Sequence, residues 1–188
     1  MIHEKREREV AVPLSTLVSV RRALEDGEEP TFATLGLSRA GFEAGEEASA
    51  LLERELGGAR TSSREGGIGS LELEQFWKEF SAFWRRRGWG RLEHETAHPG
   101  VGLLFSSDWA EAEAWRAEGR SPGCTFSSGM LAGTLSGVAG GGIAVLEVSC
   151  RARGSERCAF AYGAEPTIAR YYEQLLDGSS PERALAAL

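Results

Sequence analysis

Apolar and polar positions follow two periods along this chain, and the changes between them mark out its elements. In STLVSVRRALEDG, with Leu14 just before it, Leu14, Leu17, Val18 and Leu24 fall near one helical face, with Ser15 as candidate N-cap and Gly27 as stop. After GEEP, the segment TFATLGLSRAGFEAGEEASALLEREL places Leu35, Phe42, Leu51, Leu52 and Leu56 along one long helix, in which Gly41 and Gly45 leave two bare spots for close packing. GGARTSSREGGIG reads as a connector. The next helix, SLELEQFWKEFSAFWRRRGWG, starts at a candidate cap, Ser70; Phe76, Phe80 and Phe83 share a face that Trp77 and Trp84 overlap. RLEHETAH and GVGLLF flank His98-Pro99-Gly100 and read as two strands joined by a short loop. A short helix with Asp108 as cap follows, its apolar side marked by Trp109 and Trp115. FSSGMLAGTLSGVAG returns to helical spacing, with Gly129, Gly133 and Gly137 four residues apart. IAVLEVSCRA and RCAFAYG alternate like a hairpin turning at Arg153-Gly154-Ser155. PTIARYYEQLLDG, with Pro166 in its first turn and Ile168, Tyr172 and Leu175 as its buried stripe, and SPERALAAL, capped by Ser180, are the last two helices. The pattern predicts an α+β fold: an antiparallel sheet of about four strands, as two hairpins, packed with several helices. Residues 1–11 read as a polar leader and residues 12–188 as a single domain.

Length and charge narrow the function. A chain of 188 residues can bury one core without disulfides. A net charge of −7 and a pI near 5.2 argue against a nucleic-acid protein, which needs a concentrated basic face. The one dense basic run, Arg85-Arg86-Arg87, reads as a solvated helix C-terminus whose cations complement the helix dipole. The charged start MIHEKREREVAV has no signal-peptide core, and no window is apolar enough to span a bilayer. The expected compartment is the cytoplasm, where thiols stay reduced.

The candidate chemistry lies in residues 124–163, which hold all three cysteines of the chain and one acidic residue, Glu147, within an apolar strand. Thiolates bind zinc well and a carboxylate can complete a tetrahedron, so Cys124, Glu147, Cys150 and Cys158 make a plausible four-ligand site. A site filled by protein ligands points to a structural ion, since a catalytic zinc keeps a place for water. Two other readings stand beside it: cysteines as buried core fillers, or a Cys150–Cys158 disulfide that leaves Cys124 odd. Strict alternation sends Glu147 and Cys150 to opposite faces of the strand, so a shared ion requires a bulge or strand end near Val148-Ser149. Otherwise Glu147 is a carboxylate on a wetted strand face. Glycines on one helical face cost about 1 kcal/mol each relative to alanine, which the close approach of another backbone or of a ligand would offset. The aromatic stripe can be core, or can wall a pocket for a flat apolar molecule. No phosphate loop or dinucleotide fingerprint is present, and the residues supply no catalytic set. His94 and His98 read as polar-face residues.

The pattern C-x-F-x-x-G-M-L-A-G from Cys124, followed by G-G-x-x-A-V-L-E-V-x-C-x-A-x-G-x-x-x-C-x-F, resembles the 4-vinyl-reductase domain family. That family is similar in fold to TRAPP subunits and haem-NO-binding sensors, so the resemblance implies a ligand-binding domain of the NO-signalling and Golgi-transport type. Relatives that sense phenols hold a structural zinc with three cysteines and a glutamate, which implies Zn2+ at Cys124, Glu147, Cys150 and Cys158. Their ligand-holding tryptophan corresponds to Trp109; with Phe76, Phe80, Trp84, Gly129 and Gly133 it makes up the expected ligand-binding set. The resemblance also implies a homodimer with the long second helix facing its partner subunit. The expected function is non-catalytic binding or sensing of a small hydrophobic or aromatic molecule. The alternatives are a 4-vinyl reductase or accessory protein of tetrapyrrole synthesis, and a TRAPP-like assembly scaffold.

Overall fold

The computed structural model describes residues 9–27, 29–58, 71–114 and 123–188. Ser70, Trp115 and most of the expected connector and leader lie outside them. The elements are α1 (Leu14–Gly27), α2 (Pro30–Gly58), α3 (Leu73–Arg86), β1 (Glu93–His98), β2 (Val101–Ser106), α4 (Ala110–Ala114), α5 (Thr125–Ala139), β3 (Ile143–Ser149), β4 (Cys158–Ala164), α6 (Glu165–Leu176) and α7 (Pro181–Ala186). Both expected hairpins form, and they join side by side into one antiparallel sheet of order β1-β2-β4-β3. The α+β expectation holds.

Alternation along the strands gives the sheet two dry faces. On one, Leu104 of β2 and Phe160 of β4 meet Leu52, Phe80, Phe83, Trp84, Trp109 and Leu131 from the helices and the loop before α4. On the other, Val101 and Ala161 meet Ile168, Tyr171 and Ala184 of α6 and α7. Tyr171, not the expected Tyr172, is the buried tyrosine of α6; Tyr172 is 47% exposed because the sheet touches the helix at position i+3 from Ile168.

Helix α5 is buried along most of its length, and its partner is α2. A Cβ on Gly129 would lie 2.0 Å from the Ser38 carbonyl oxygen, and one on Gly133 would lie 2.1 Å from that of Phe42. The reverse face matches: Cβ atoms on Gly41 and Gly45 would lie 2.1 and 2.2 Å from the carbonyls of Phe126 and Met130. The two helices therefore pack backbone to backbone, and Thr134 Oγ1 donates across to the Gly45 carbonyl at 3.1 Å. This answers the glycine spacing and corrects two expectations. Gly129 and Gly133 face α2, not a ligand, and the glycine face of α2 is used within the chain, not by a second subunit.

The helix ends also differ in detail. α1 begins at Leu14, with Thr16 N–H bonded to the Pro13 carbonyl at 2.9 Å, so Ser15 lies inside the helix. Glu72 occupies the N-cap of α3. Asp108 does not cap α4; its Oδ1 accepts from Arg91 N–H at 2.8 Å and Ser106 Oγ at 3.1 Å, tying the start of β1 to the end of β2. Ser180 caps α7 as expected, accepting from Arg183 N–H. The basic run at the end of α3 is solvated and paired: Arg86 and Arg87 both reach Glu55 of α2 at 2.6 Å, and Arg87 also meets Glu9.

Candidate metal centre and the aromatic cluster beside it

Three pieces of backbone bring the sulfurs together. Cys124 is the N-cap of α5, Cys150 follows the end of β3, and Cys158 opens β4. Between β3 and β4 the register slips after the Glu147–Phe160 pair, so that Ser149 is opposite Ala159. This is the bulge expected near Val148-Ser149; an extra residue in one strand moves Cys150 onto the Glu147 side. A short 3-10 turn, Arg151–Arg153, then folds over the cysteines, closed by Gly154 at φ 95°. The Cys150 carbonyl accepts from Arg153 and Ser155 N–H, both at 3.1 Å.

All three cysteines are free thiols and buried, which rules out the Cys150–Cys158 disulfide in this structure. Cys124 Sγ lies 3.7 Å from Cys150 Sγ and 4.0 Å from Cys158 Sγ, and the three sulfurs lie within 4.8 Å of one another. A tetrahedral zinc with bonds of about 2.3 Å sets its sulfurs about 3.8 Å apart, so the donor set fits such an ion and is more than core filling. Arg151 N–H points at Cys158 Sγ from 3.5 Å, and Gly123 is bare because a Cβ there would crowd Cys150 Sγ. The sulfurs differ in acidity. Hydrogen bonds from Cys124 and Cys150 pull the Cys158 thiol down to about 4, while the same contacts push Cys124 upward. The cluster thus readily carries one thiolate, the form that binds metal.

Glu147 stands beside the triangle. Both of its oxygens accept from Cys124 N–H, at 3.1 and 3.2 Å, so the carboxylate lies at the N-terminus of α5 and not within the close group of sulfur atoms. Burial and the adjoining Cys150 raise it to about 7.

A second carboxylate at the same helix end is not singled out by the sequence pattern. Glu111, on α4, is only 5% exposed. Its Oε2 accepts from Ser127 N–H at 2.7 Å and Ser127 Oγ at 2.5 Å, and Oε1 accepts from Phe126 N–H at 3.2 Å. It therefore satisfies the first turn of α5 from outside the helix, and burial raises it to about 7 against the pull of those bonds. The signal available in WAEAEAW is that a short helix packed on the core can wet only one side. Glu113 takes the wet one, paired with Arg151 in the turn over the cysteines.

From Glu111 the network runs into the aromatic cluster. Trp109 is wholly buried, and its Nε1 donates to Ser127 Oγ at 2.7 Å. Its ring centroid is 6.5 Å from Trp84, 5.9 Å from Trp89 and 6.0 Å from Phe160, mostly in edge contacts. Of the expected ligand set, Trp84 and Trp109 meet here, and Phe76 and Phe80 continue the stripe along α3 as core residues. Trp84 Nε1 is buried with no hydrogen-bond partner among the described residues. On the far side of Phe126, which stacks on Trp89 at 6.0 Å, lies an almost wholly apolar crevice of about 200 Å³. Leu17, Val18, Arg21 and Leu37 line it together with Glu111 and Phe126. Arg21 is also buried and donates to the Gly123 carbonyl at 2.9 Å, so the wall of the crevice touches the residue before the first cysteine. His94 is elsewhere: it stacks on Trp77 at 4.1 Å and lies 2.8 Å from the Tyr162 hydroxyl.

Fold and cysteine cluster together define a class. Residues 108–164, the stretch that carries Trp109, Glu111, Glu147 and all three cysteines, match the family model of the vinyl-4-reductase domain, and the resemblance drawn from the cysteine and glycine pattern is thereby shown for this stretch. No curated protein matches the chain. Among solved structures, the phenol-responsive sensory domain of the transcription activator PoxR, solved with phenol, is similar with a TM-score of 0.67 at 20% identity, over 84% of this chain and 77% of that one. A trafficking protein particle complex subunit 3 from Naegleria fowleri, covalently bound to palmitic acid, gives a TM-score of 0.58 at 14% identity, over 80% of this chain and 91% of that one. These two likenesses establish the fold. A vinyl-4-reductase family protein from Methanocaldococcus jannaschii gives 0.49 at 18% identity, over 84% and 83%. No helix among the described residues is long and apolar enough to cross a membrane.

Proposed function

We propose that this chain is a non-catalytic binding or sensor module for a small aromatic or hydrophobic molecule, braced by a structural zinc. The observation that carries the reading is the unpartnered indole N–H of Trp84 inside a cluster of aromatic rings, one ring from the hydrogen-bond chain Trp109–Ser127–Glu111. A buried donor without an acceptor is costly. A phenolic or carbonyl oxygen bound between these rings would satisfy it, while the rings themselves supply the offset contacts an aromatic ligand favours. The phenol named with the PoxR domain supports this ligand class, and the crevice behind Phe126 suits a molecule of one ring.

Zinc in this reading is held by Cys124, Cys150 and Cys158, with Glu147 turning from Cys124 N–H to become the fourth ligand. The ion would neutralise the thiolates and pin the start of α5 to the β3–β4 turn. Because α5 also carries Ser127, the pinned helix sets the donor and acceptor positions of the aromatic cluster. Residues 12–188 act as one domain in the cytoplasm, where the thiols stay reduced. Exposed apolar residues on α1 and α2, among them Val20, Phe32 and Leu35, offer a surface for a second copy, a pairing that light scattering would test.

Native mass spectrometry should find one zinc per chain, lost in Cys158→Ser. Phenol should change the tryptophan emission of the folded protein, with the response weakened about tenfold in Trp84→Phe, equivalent to about one charge-neutral hydrogen bond. A protein that folds without metal and gives no response to aromatic probes at millimolar concentration would refute the reading. Turnover of a vinyl-chlorophyllide with NAD(P)H or ferredoxin would replace it with the reductase.

A further inference from the structure

The face of the sheet away from the cysteines is only partly covered. Helices α6 and α7 close over Val101 and Ala161, but the half that includes Leu103, Phe105 and Ala159 stays open as a groove of about 620 Å³, walled by Tyr171 and Leu185. That volume lies in the range of single small-molecule sites, about 300–1,000 Å³. At Phe105 and Arg157 the groove adjoins a polar hollow of about 260 Å³, which Arg85, Arg91 and Arg157 all line.

Two features of this region lack a partner. The Arg157 guanidinium lies 3.6 Å over the Phe105 ring and forms no ion pair among the described residues. Ring contact fixes the guanidinium plane yet leaves its edge donors free for a carboxylate. The Tyr171 hydroxyl, in the groove wall, is buried with no hydrogen-bond partner among the described residues. Charge sets the polarity of a ligand. Three arginines line the hollow against Glu93 and Asp108, and Asp108 Oδ1 is already taken by Arg91 N–H and Ser106 Oγ. The groove itself carries Glu95 and Glu182, which disfavour a second negative charge there.

The geometry points to a second binding site on this face for an anionic amphiphile: a single carboxylate on Arg157 at the arginine-lined end, with an uncharged apolar body lying on Phe105, Leu103 and Ala159. This site is separated by the sheet from the aromatic cluster around Trp109 and does not depend on what binds there.

Full-length protein titrated with 4-phenylbutyrate and with its neutral amide tests the assignment by calorimetry and by NMR of the leucine methyls and indole N–H groups. The acid should bind with shifts at Leu103 and Leu185 and none at the Trp109 indole. The amide, and the acid with Arg157→Ala, should each bind about tenfold more weakly, as expected when a charge-assisted contact is lost. Arg157 is exposed, so the variant keeps the fold, which circular dichroism confirms. Equal binding of acid and amide, an unaltered affinity in Arg157→Ala, shifts centred on Trp109, or no binding of either probe at millimolar concentration would each overturn the site.

Discussion

The contact between α2 and α5 allows a single methyl group to be followed through to stability. In Gly129→Ala the added Cβ would lie 2.0 Å from the Ser38 carbonyl oxygen and 2.9 Å from Phe42 N, where ordinary contact begins at 3.4 Å. Both obstacles are backbone, so no side chain can swing aside and the helices must part by about 1 Å, a strain of the overpacking kind. Parting them also loosens the matching contacts at Gly41, Gly45 and Gly133. Overpacking costs about 1–3 kcal/mol, here at the upper end, and alanine returns about 1 kcal/mol of helix propensity, leaving a net loss of about 2 kcal/mol. Gly36, on the same helix α2, is the internal control, because a Cβ there meets nothing within 4 Å. Gly36→Ala should therefore gain about 1 kcal/mol. For a chain of this length each kcal/mol moves the midpoint by about 2–4 °C, so thermal unfolding followed by circular dichroism should place Gly129→Ala about 4–8 °C below the parent and Gly36→Ala about 2–4 °C above it. If Gly129→Ala melts with the parent or above it, the backbone-to-backbone packing is refuted.

Two further outcomes follow from buried polar groups. Glu111→Ala would strand Phe126 N–H, Ser127 N–H and Ser127 Oγ, and should destabilise the fold by about 3 kcal/mol or more, read from the urea midpoint; a variant as stable as the parent would refute the external cap on α5. His94 is held below the usual imidazole range by burial, with Glu95 pulling the other way. The unfolded chain thus takes up a proton near pH 6.5 that the folded chain accepts only at lower pH. The stability of the parent relative to His94→Phe should be level above that pH and fall as the pH drops through the folded value. A difference that stays constant from pH 8 to pH 5 would refute it.

Much of this architecture is written in local pattern. The two hairpins, the long α2, the stop of α5 at Gly140 and the cap at Ser180 follow from alternation, helical spacing and turn chemistry, which act within a few residues. So does the need for a bulge before Cys150, because alternation alone sends Glu147 the other way. What misleads are choices set by distant neighbours. Asp108 has the pattern of a cap for α4 but is held by Arg91 across the chain. Tyr172 has as good a claim to burial as Tyr171 until the sheet selects one side of α6. Glu111 has the composition of a surface acid, and only the arrival of the α5 N-terminus gives it donors.

Sequence alone determined which residues could carry the chemistry: three thiols, an acid in an apolar strand, glycines at fixed spacing and an aromatic stripe. Tertiary structure decided what each of them meets. Convergence of three sulfurs to metal-site spacing depends on joining α5 to the β3–β4 turn, and the glycines serve α2 because two backbones can approach that closely only where both lack side chains. Such long-range encounters are fixed by the whole packing arrangement, so no window of sequence contains them.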